Sequence, residues 1–169
     1  MRRDVESLAV GGCNGHARPT GLTPDPRPPY NPSRRLPLIE RIRVRSSAHA
    51  QLQDVTQLVN EALRRMGVSQ GLCQVYVPHT TAGVIVNENA DPDVCRDILA
   101  WLDRMAPQDG DYRHAEGNSP GHIKSTLVGQ SATLPVENGR LALGTWQGVY
   151  LAEFDGPRER TVVVNVVNG

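Results

Sequence analysis

Three of the five histidines in this 169-residue sequence fall in short polar clusters between apolar segments. They are His79 in the string Pro78-His-Thr-Thr-Ala-Gly83, and His114 and His122 in the stretch from Tyr112 to Thr126. Neutral imidazole is the commonest side-chain ligand of zinc, and three protein nitrogens with one open position let a metal polarise water or a substrate oxygen. The spacing leaves two alternatives open, which are unconnected histidines and metal-free acid–base catalysis by imidazole.

Residues suited to binding an anion or transferring a proton accompany these histidines. The amide and basic side chains that could bind phosphate are Asn87, Asn89, Arg113, Lys124, Arg158 and Arg160. Three glutamates, Glu88, Glu116 and Glu153, are candidate bases or partners that orient an imidazole ring. Charged residues near turns are also common on solvated surfaces, so the residue types alone do not distinguish a site from a surface.

Two amphipathic segments are expected to pack beside these clusters as helices. Apolar residues recur at steps of three and four over residues 51–66, which predicts a helix ending before Gly67. A second helix is predicted to begin after Asp91, an N-cap, with Pro92 at its first position and Pro107 as its stop. A polar stretch over 106–121 follows, of a length that is often functional. A short helix is expected at 122–128.

The rest of the pattern is typical of antiparallel strands. Alternation or β-branched runs predict strands at 39–45, 72–77, 84–86, 132–136, 141–143, 149–154 and 161–167. Asn138-Gly139 predicts a type I′ hairpin turn, and the dense valines of the last run predict a central strand. The expected fold is α+β, a single domain with a largely antiparallel β-sandwich-like core and two main helices.

Residues 1–37 differ in composition from residues 38–169. They carry seven of the 13 prolines, and the sequence predicts a disordered Pro/Gly-rich tail before one folded domain. Lys plus Arg equals Asp plus Glu at 18 each, which argues against a strongly basic nucleic-acid binder. Without a membrane span, a secretory signal or a disulfide pattern, we expect a cytoplasmic protein.

Five blocks of residues occur in a fixed order between positions 78 and 158. They are Pro78-His-Thr-Thr-Ala82, Asn87-Glu-Asn-Ala-Asp-Pro-Asp-Val94, Tyr112-Arg-His114 with Glu116-Gly-Asn118, His122-Ile-Lys-Ser125, and Gly139-Arg-Leu-Ala-Leu-Gly-Thr-Trp-Gln147 followed by Glu153 and Gly156-Pro-Arg158. In these blocks the sequence, over about 38–169, resembles the YjbQ family, also called the secondary thiamine-phosphate synthase family. Gly121 departs from the resemblance, since alanine is expected before the histidine.

The resemblance implies a fold, an assembly and a site. It implies a compact α+β domain that forms a homotrimer, with a divalent metal, in the first place zinc, bound near phosphate. The metal ligands implied are His79, His114 and His122. The catalytic candidates are Glu88 and Glu116, and the substrate- or phosphate-binding candidates are Asn87, Asn89, Asn118, Lys124 and Arg158.

The function expected from the resemblance is a metal-binding enzyme that acts on a phosphorylated small metabolite. Its activity would include a thiamine-phosphate synthase-like transfer, which joins a pyrimidine diphosphate to a thiazole phosphate and releases pyrophosphate. Such a reaction needs the departing diphosphate to be stabilised by a cation and basic side chains. Two alternatives stay open, a metal-dependent hydrolase of another substrate and a non-catalytic trimer that binds a metal or ligand.

Overall fold

Alternating apolar residues build two antiparallel sheets in the computed structural model, which describes residues 38–167. The elements in chain order are β1 (Leu38–Arg45), β2 (Gln51–Asp54), α1 (Thr56–Arg65), β3 (Gly71–Tyr76), β4 (Ala82–Glu88), α2 (Pro92–Met105), α3 (Ser119–Val128), β5 (Ser131–Glu137), β6 (Arg140–Leu141), β7 (Gln147–Glu153) and β8 (Glu159–Val167). The tail predicted at 1–37 lies outside the described residues.

The strands divide between a five-stranded sheet and a three-stranded sheet. The larger has the order β1-β8-β3-β5-β6 and the smaller the order β2-β7-β4, with antiparallel neighbours throughout. β8 lies between β1 and β3, as its run of valines predicted. The predicted α+β fold with a largely antiparallel, sandwich-like core is therefore confirmed, and α3 adds a third helix of ten residues.

The apolar core lies between the two sheets and extends onto the outer side of the smaller one. Valines of β8 pack against Val149 and Leu151 of β7 and against the buried face of α1. On the other side of the three-stranded sheet, Phe154 packs with Leu102 of α2. β7 is thus buried on both faces, and the ends of β4 and β7 are held in place by packing from both sides.

The helix predicted over 51–66 begins only at Thr56, so the prediction is wrong in its first five residues. Residues Gln51–Asp54 form β2, which pairs with the Tyr150–Glu153 part of β7. Asp54 accepts hydrogen bonds from the backbone N–H and the hydroxyl of Thr56, which ends the strand and satisfies an N–H of the first helical turn. Leu52 packs against α2. It is apolar because this neighbouring helix buries it, and its agreement with the helical spacing is coincidental.

The remaining local signals are confirmed with small shifts. The Asp91 carboxylate accepts the backbone N–H of Asp93 and caps α2, and Pro92 occupies its first turn. Asn138 and Gly139 have φ values of 52° and 76°, as a type I′ turn requires. α3 begins at Ser119, three residues before the predicted start.

None of the helices within residues 38–167 is long and apolar enough to cross a membrane.

Candidate functional site

An open cleft of about 410 Å³ lies at the N-terminal end of α3. It is lined by Tyr112, His114, Ser119, His122 and Ile123. The imidazole rings of His114 and His122 are 5.3 Å apart between centroids and meet edge to face at 71°. The loop between α2 and α3 supplies the first ring and the first turn of α3 the second, so two predicted site histidines share one cavity.

The N-terminus of α3 adds an electrostatic component to this cleft. Its N-cap is Asn118, whose side chain makes no capping bond and instead donates from Nδ2 to Asp155 Oδ2 at 3.0 Å. Pro120 has no N–H, and the N–H groups of Gly121 and His122 donate to the Asn118 oxygen at 2.9 and 3.3 Å, so this helix end attracts an anion mainly through the helix dipole. The cleft therefore combines two imidazoles with a helix end that favours a negatively charged group.

Glu116 is the predicted base that the structure places near the imidazoles. Its Oε2 atom lies 3.9 Å from Nε2 of His114, and both side chains are exposed. This distance is longer than a hydrogen bond, so the carboxylate contributes charge without fixing the ring.

Asn118 and Arg158 are joined at the edge of the cleft by one carboxylate. Arg158 donates from Nε to the backbone oxygen of Asp155 at 2.7 Å and from Nη2 to Oδ2 of Asp155 at 2.9 Å. Asn118 donates to the same Oδ2. The amide oxygen of Asn118 is buried and accepts no hydrogen bond from the part of the chain described here. Two predicted phosphate-binding residues are therefore neighbours in space.

His79 is bonded to the backbone and does not join the His114–His122 pair. Its Nε2 atom accepts the backbone N–H of Thr161 at 2.8 Å, which ties the loop after β3 to β8. Burial and the nearby Arg160 lower the pKa of His79, and the Glu153 carboxylate only partly offsets them. The ring is therefore kept neutral, with its ε nitrogen occupied by the backbone.

Glu153 and Arg160 form a buried ion pair beside His79. Glu153 is fully buried and accepts hydrogen bonds from Arg160 Nε at 2.7 Å and from Ser46 Oγ at 2.9 Å. Burial alone raises the pKa of Glu153, but the hydrogen bonds, led by Arg160, outweigh it and the pKa lies below its ordinary value. Arg160 also donates to Thr81 Oγ1 at 2.9 Å. This glutamate and this arginine hold β7, β8 and the His79 loop together.

Gly121 connects that buried cluster to the cleft. A Cβ atom at this position would lie 3.0 Å from the backbone oxygen of Phe154 and 3.3 Å from Thr81 Cβ. Both distances are shorter than ordinary van der Waals contact. The absence of a side chain at Gly121, where alanine was expected, therefore lets α3 approach the strand ends closely.

Lys124 points away from solvent into the contact between α2 and α3. It is 3% exposed, and its ammonium group forms an ion pair with Asp103 of α2. Because the charge is buried and paired, it positions α3 against α2.

Asn87, Glu88 and Asn89 lie at the opposite end of the three-stranded sheet. Glu88 is opposite Gln147, whereas Ala82 is opposite Glu153. Six residue steps of a strand separate the two ends by ~20 Å. Within one chain, the predicted base Glu88 is therefore remote from the imidazoles.

A separate network of polar side chains lies around Asn89 at this end of the three-stranded sheet. Asn89 donates to Asp54 at 2.9 Å and accepts from the Tyr150 hydroxyl at 2.6 Å. Burial raises the pKa of Tyr150, and contact with Cys95 raises it further, so the phenol stays protonated and donates. Asn87 accepts the backbone N–H of Glu88 at 2.7 Å.

The metal ligands expected from the sequence do not form a single cluster within one chain. Over residues 38–167, no group of three or more His, Cys, Asp or Glu side chains is arranged to hold a metal ion. His114 and His122 are adjacent, while His79 Nε2 is bonded to Thr161. A three-imidazole centre thus does not fit these residues of one chain, and His114 and His122 are the two predicted ligands that lie next to each other.

Three cleft residues, Tyr112, Ser119 and Ile123, were not predicted as site residues, although Ser119 and Ile123 had a local signal. The signal for them was the Asn118-Ser119-Pro120 string, because Asn and Ser are preferred before a helix and Pro is favoured in its first turn. A helix that begins at Ser119 places Ser119 one turn from His122 and Ile123, beside the predicted site.

Comparison with known proteins gives a consistent result over the described part of the chain. The family model "UPF0047 protein YjbQ-like" matches residues 40–169. The UPF0047 protein YugU of Bacillus subtilis is 44% identical over 131 residues, covering 77% of this chain and 99% of that protein. A UPF0047 protein of Methanocaldococcus jannaschii is 42% identical over 130 residues, covering 77% of this chain and 94% of that protein.

Solved structures with the same fold include one from Clostridium acetobutylicum, described as an uncharacterised conserved protein of the YjbQ/UPF0047 family. It is 52% identical with a TM-score of 0.74 and covers 76% of this chain and 99% of that one. A YbjQ-like protein of unknown function from Sulfolobus solfataricus is 29% identical with a TM-score of 0.75, covering 79% of this chain and 99% of that one.

Proposed function

Since the chain belongs to the YjbQ-like UPF0047 family, we propose that it is an enzyme acting on a phosphorylated small metabolite in the cleft at the N-terminus of α3. The observation that carries this proposal is the pair of facing imidazoles of His114 and His122 at a helix end. Such a pair can donate hydrogen bonds to a phosphate, because each neutral imidazole carries one ring N–H.

The activity proposed first is a thiamine-phosphate synthase-like transfer. A ring nitrogen of the thiazole phosphate forms a C–N bond to the pyrimidine methylene carbon, and the C–O bond to the diphosphate breaks with its electron pair leaving on oxygen. The protein has to stabilise that leaving charge. His114 and His122 would donate protons or hydrogen bonds to the diphosphate, and the guanidinium of Arg158 would add a positive charge at the edge of the cleft.

A divalent cation, in the first place zinc, belongs to this proposal as a bound partner of the diphosphate. His114 and His122 are the two residues that would hold it, and in that state the cation, in place of their N–H groups, would neutralise part of the leaving charge. Metal analysis of the purified protein tests this part. A His114→Ala, His122→Ala double variant is expected to lose metal that the native protein retains, and equal metal content in both would contradict it.

Assembly as a homotrimer is proposed alongside the activity. The outer face of the five-stranded sheet supports it, because Ile39, Leu72, Tyr76 and Val167 are exposed there. Between them lies Asn165, whose amide oxygen is buried and lacks a partner within residues 38–167. A second chain covering this face would bury the four exposed apolar side chains. Light scattering after size-exclusion chromatography measures the assembly directly.

The activity is tested by incubating the protein with both thiamine precursors and, separately, with a panel of phosphate esters. We expect thiamine phosphate and pyrophosphate from the native protein, none from His122→Ala, and unchanged product from His49→Ala, whose ring is exposed in the β1–β2 loop. Product formation that survives in His122→Ala would indicate a contaminant. Hydrolysis of an ester without coupling of the precursors would favour the alternative, a hydrolase using the open cleft.

A further inference from the structure

Arg158 is a surface arginine that hydrogen bonds fix at its backbone and at its guanidinium. Its side chain is 54% exposed, whereas the Asp155 side chain that it binds is only 14% exposed. The backbone N–H of Arg158 donates to Ser46 Oγ at 2.8 Å, and its backbone oxygen accepts the Ser46 N–H at 2.9 Å. At the other end, Nε and Nη2 both donate to Asp155. Long exposed side chains ordinarily keep many rotamers, so this arginine is ordered beyond what its surface position requires.

Asp155 can hold the guanidinium because its own backbone is fixed on both sides. Its N–H donates to Oε1 of the buried Glu153 at 2.9 Å, and the N–H of Gly156 donates to the His49 oxygen at 3.0 Å. A Cβ atom on Gly156 would overlap the backbone oxygen of Ala48, so this segment packs directly against the loop between β1 and β2. The carboxylate of Asp155 therefore projects from a rigid part of the connection between β7 and β8.

The two contacts with Asp155 leave one edge of the guanidinium free. A guanidinium carries five N–H donors in a planar fork. The backbone oxygen of Asp155 accepts Nε–H at 2.7 Å and its Oδ2 atom accepts one Nη2–H at 2.9 Å, which occupies one side of the fork. The Nη1–H groups and the second Nη2–H have no acceptor within residues 38–167. The free edge, formed by Nη1 and Nη2, has the geometry that binds two oxygens of one phosphate.

The same carboxylate connects this guanidinium to the imidazole cleft. Oδ2 of Asp155 also accepts Nδ2 of Asn118 at 3.0 Å, and the next residue, Ser119, lines the cleft. One oxygen atom thus binds both Arg158 and the residue that begins α3. The guanidinium is therefore fixed in position at the edge of the cleft.

We propose that Asp155 is a positioning residue that presents the free edge of the Arg158 guanidinium to a phosphate group in the cleft. A flexible arginine loses side-chain entropy when it binds an anion, and Asp155 has already imposed that order. The carboxylate itself repels the anion, so it favours binding only by orienting the fork. The bound phosphate rests on the proposed function, whereas the fixed guanidinium does not.

The test measures the affinity of the full chain for inorganic phosphate by isothermal titration calorimetry. Removing a carboxylate from an anion site should strengthen binding if only charge mattered. Positioning predicts the opposite, so Asp155→Ala should bind phosphate about two- to tenfold more weakly than the native protein. Glu159→Ala is the matched control, because it removes a carboxylate from the exposed pair with Arg43 and should leave the affinity unchanged. Equal or tighter binding in Asp155→Ala would overturn the proposal.

A double variant shows whether Asp155 acts through Arg158. Arg158→Ala should weaken phosphate binding, and adding Asp155→Ala to it should cause no further loss. A further loss would mean that the carboxylate acts through Asn118 or through the fold, which refutes its assignment to the guanidinium. Asp155→Asn, which keeps the shape of the side chain, should weaken binding in the same direction, and thermal melts establish that each variant is folded.

A second measurement needs no ligand. In the proton–nitrogen correlation spectrum, the Nε–H signal of Arg158, identified by its absence in Arg158→Ala, should exchange with water slowly in the native protein and several-fold faster in Asp155→Ala. Equal exchange in the two would overturn the positioning role. A native protein that binds no phosphate would contradict the proposed function and the phosphate contact, while this signal still decides whether Asp155 holds the guanidinium.

Discussion

The imidazole of His79 accepts the backbone N–H of Thr161 through Nε2 at 2.8 Å and thereby joins the loop after β3 to the start of β8. Protonation of Nε2 would remove this acceptor and place a positive charge beside Arg160. The protein therefore uses the neutral form of this histidine in its fold.

The free energy of unfolding should fall on acidification through His79. Burial and Arg160 hold the pKa of His79 below its ordinary value of 6.5, so the unfolded chain takes up the proton more readily. This contribution is fully present above pH 6.5 and is lost as the pH falls through the lowered native pKa. Urea unfolding across this range should show a smaller pH dependence in His79→Gln than in the native protein. His49→Ala serves as the control, and an equal loss of pH dependence in it would contradict the assignment.

Removing the charge of Glu153 should destabilise the protein strongly. Glu153→Gln leaves the buried Arg160 guanidinium without its counter-charge, which costs about 3–5 kcal/mol of unfolding free energy. Glu159→Gln is the matched control, because its pair with Arg43 is exposed and is worth about 0–1 kcal/mol. Denaturant unfolding of both variants measures the difference, and similar losses would show that the buried pair has no special role.

The same ion pair adds an acid-sensitive component to stability. The lowered pKa of Glu153 means that its contribution is present above pH 4.5 and disappears as the pH falls through the native value. Glu153→Gln should flatten the stability profile in this acidic range. A profile as steep as that of the native protein would show that other carboxylates cause the acid unfolding.

Replacing Lys124 should change the stability of the protein and leave its affinity for phosphate unchanged. Lys124→Met removes a buried charge while keeping much of the side-chain volume, so it should cost less than Asp103→Asn, which leaves the ammonium buried and unpaired. Thermal melts compare the two. Calorimetric titration with inorganic phosphate should give the same affinity for Lys124→Met and the native protein, and weaker binding would return Lys124 to the site.

His122→Ala should weaken the binding of inorganic phosphate. A hydrogen bond to a charged group contributes about 1.5–3 kcal/mol, so the affinity should drop about tenfold or more. Isothermal titration calorimetry measures this loss, with His49→Ala as the control of equal chemistry outside the cleft. Unchanged affinity in His122→Ala would remove the cleft from the proposed phosphate site.

Sequence reasoning located most elements because their signals are local. Asp91-Pro92 and Asn138-Gly139 specify a cap and a turn through a few dihedral angles, and both occur as predicted. Leu52 was assigned to a helix because it continues the three- and four-residue spacing of the apolar residues in α1. In the structure it belongs to a short strand and is buried by α2. Local patterns cannot separate these two origins of burial.

The grouping of site residues depended on distances that the sequence does not contain. His114 and His122 meet because one loop and one helix turn join them, whereas Glu88 is separated from them by the length of β4. The motif strings named residues of two polar regions without indicating that the regions lie at opposite ends of a sheet. Lysine and arginine are residue types that often bind anions. In the structure Lys124 and Arg160 are instead buried and form ion pairs with Asp103 and Glu153.

The bare backbone at Gly121 sets how closely α3 approaches the ends of the strands. One added methyl group would have to displace the Phe154 carbonyl or shift the helix by a few tenths of an ångström. Because His122 is the next residue, such a shift would move its ring relative to His114. A relative that carries alanine here is therefore expected to hold its two imidazoles at a different spacing, so a single carbon atom beside His122 would tune which anion sizes the site accepts.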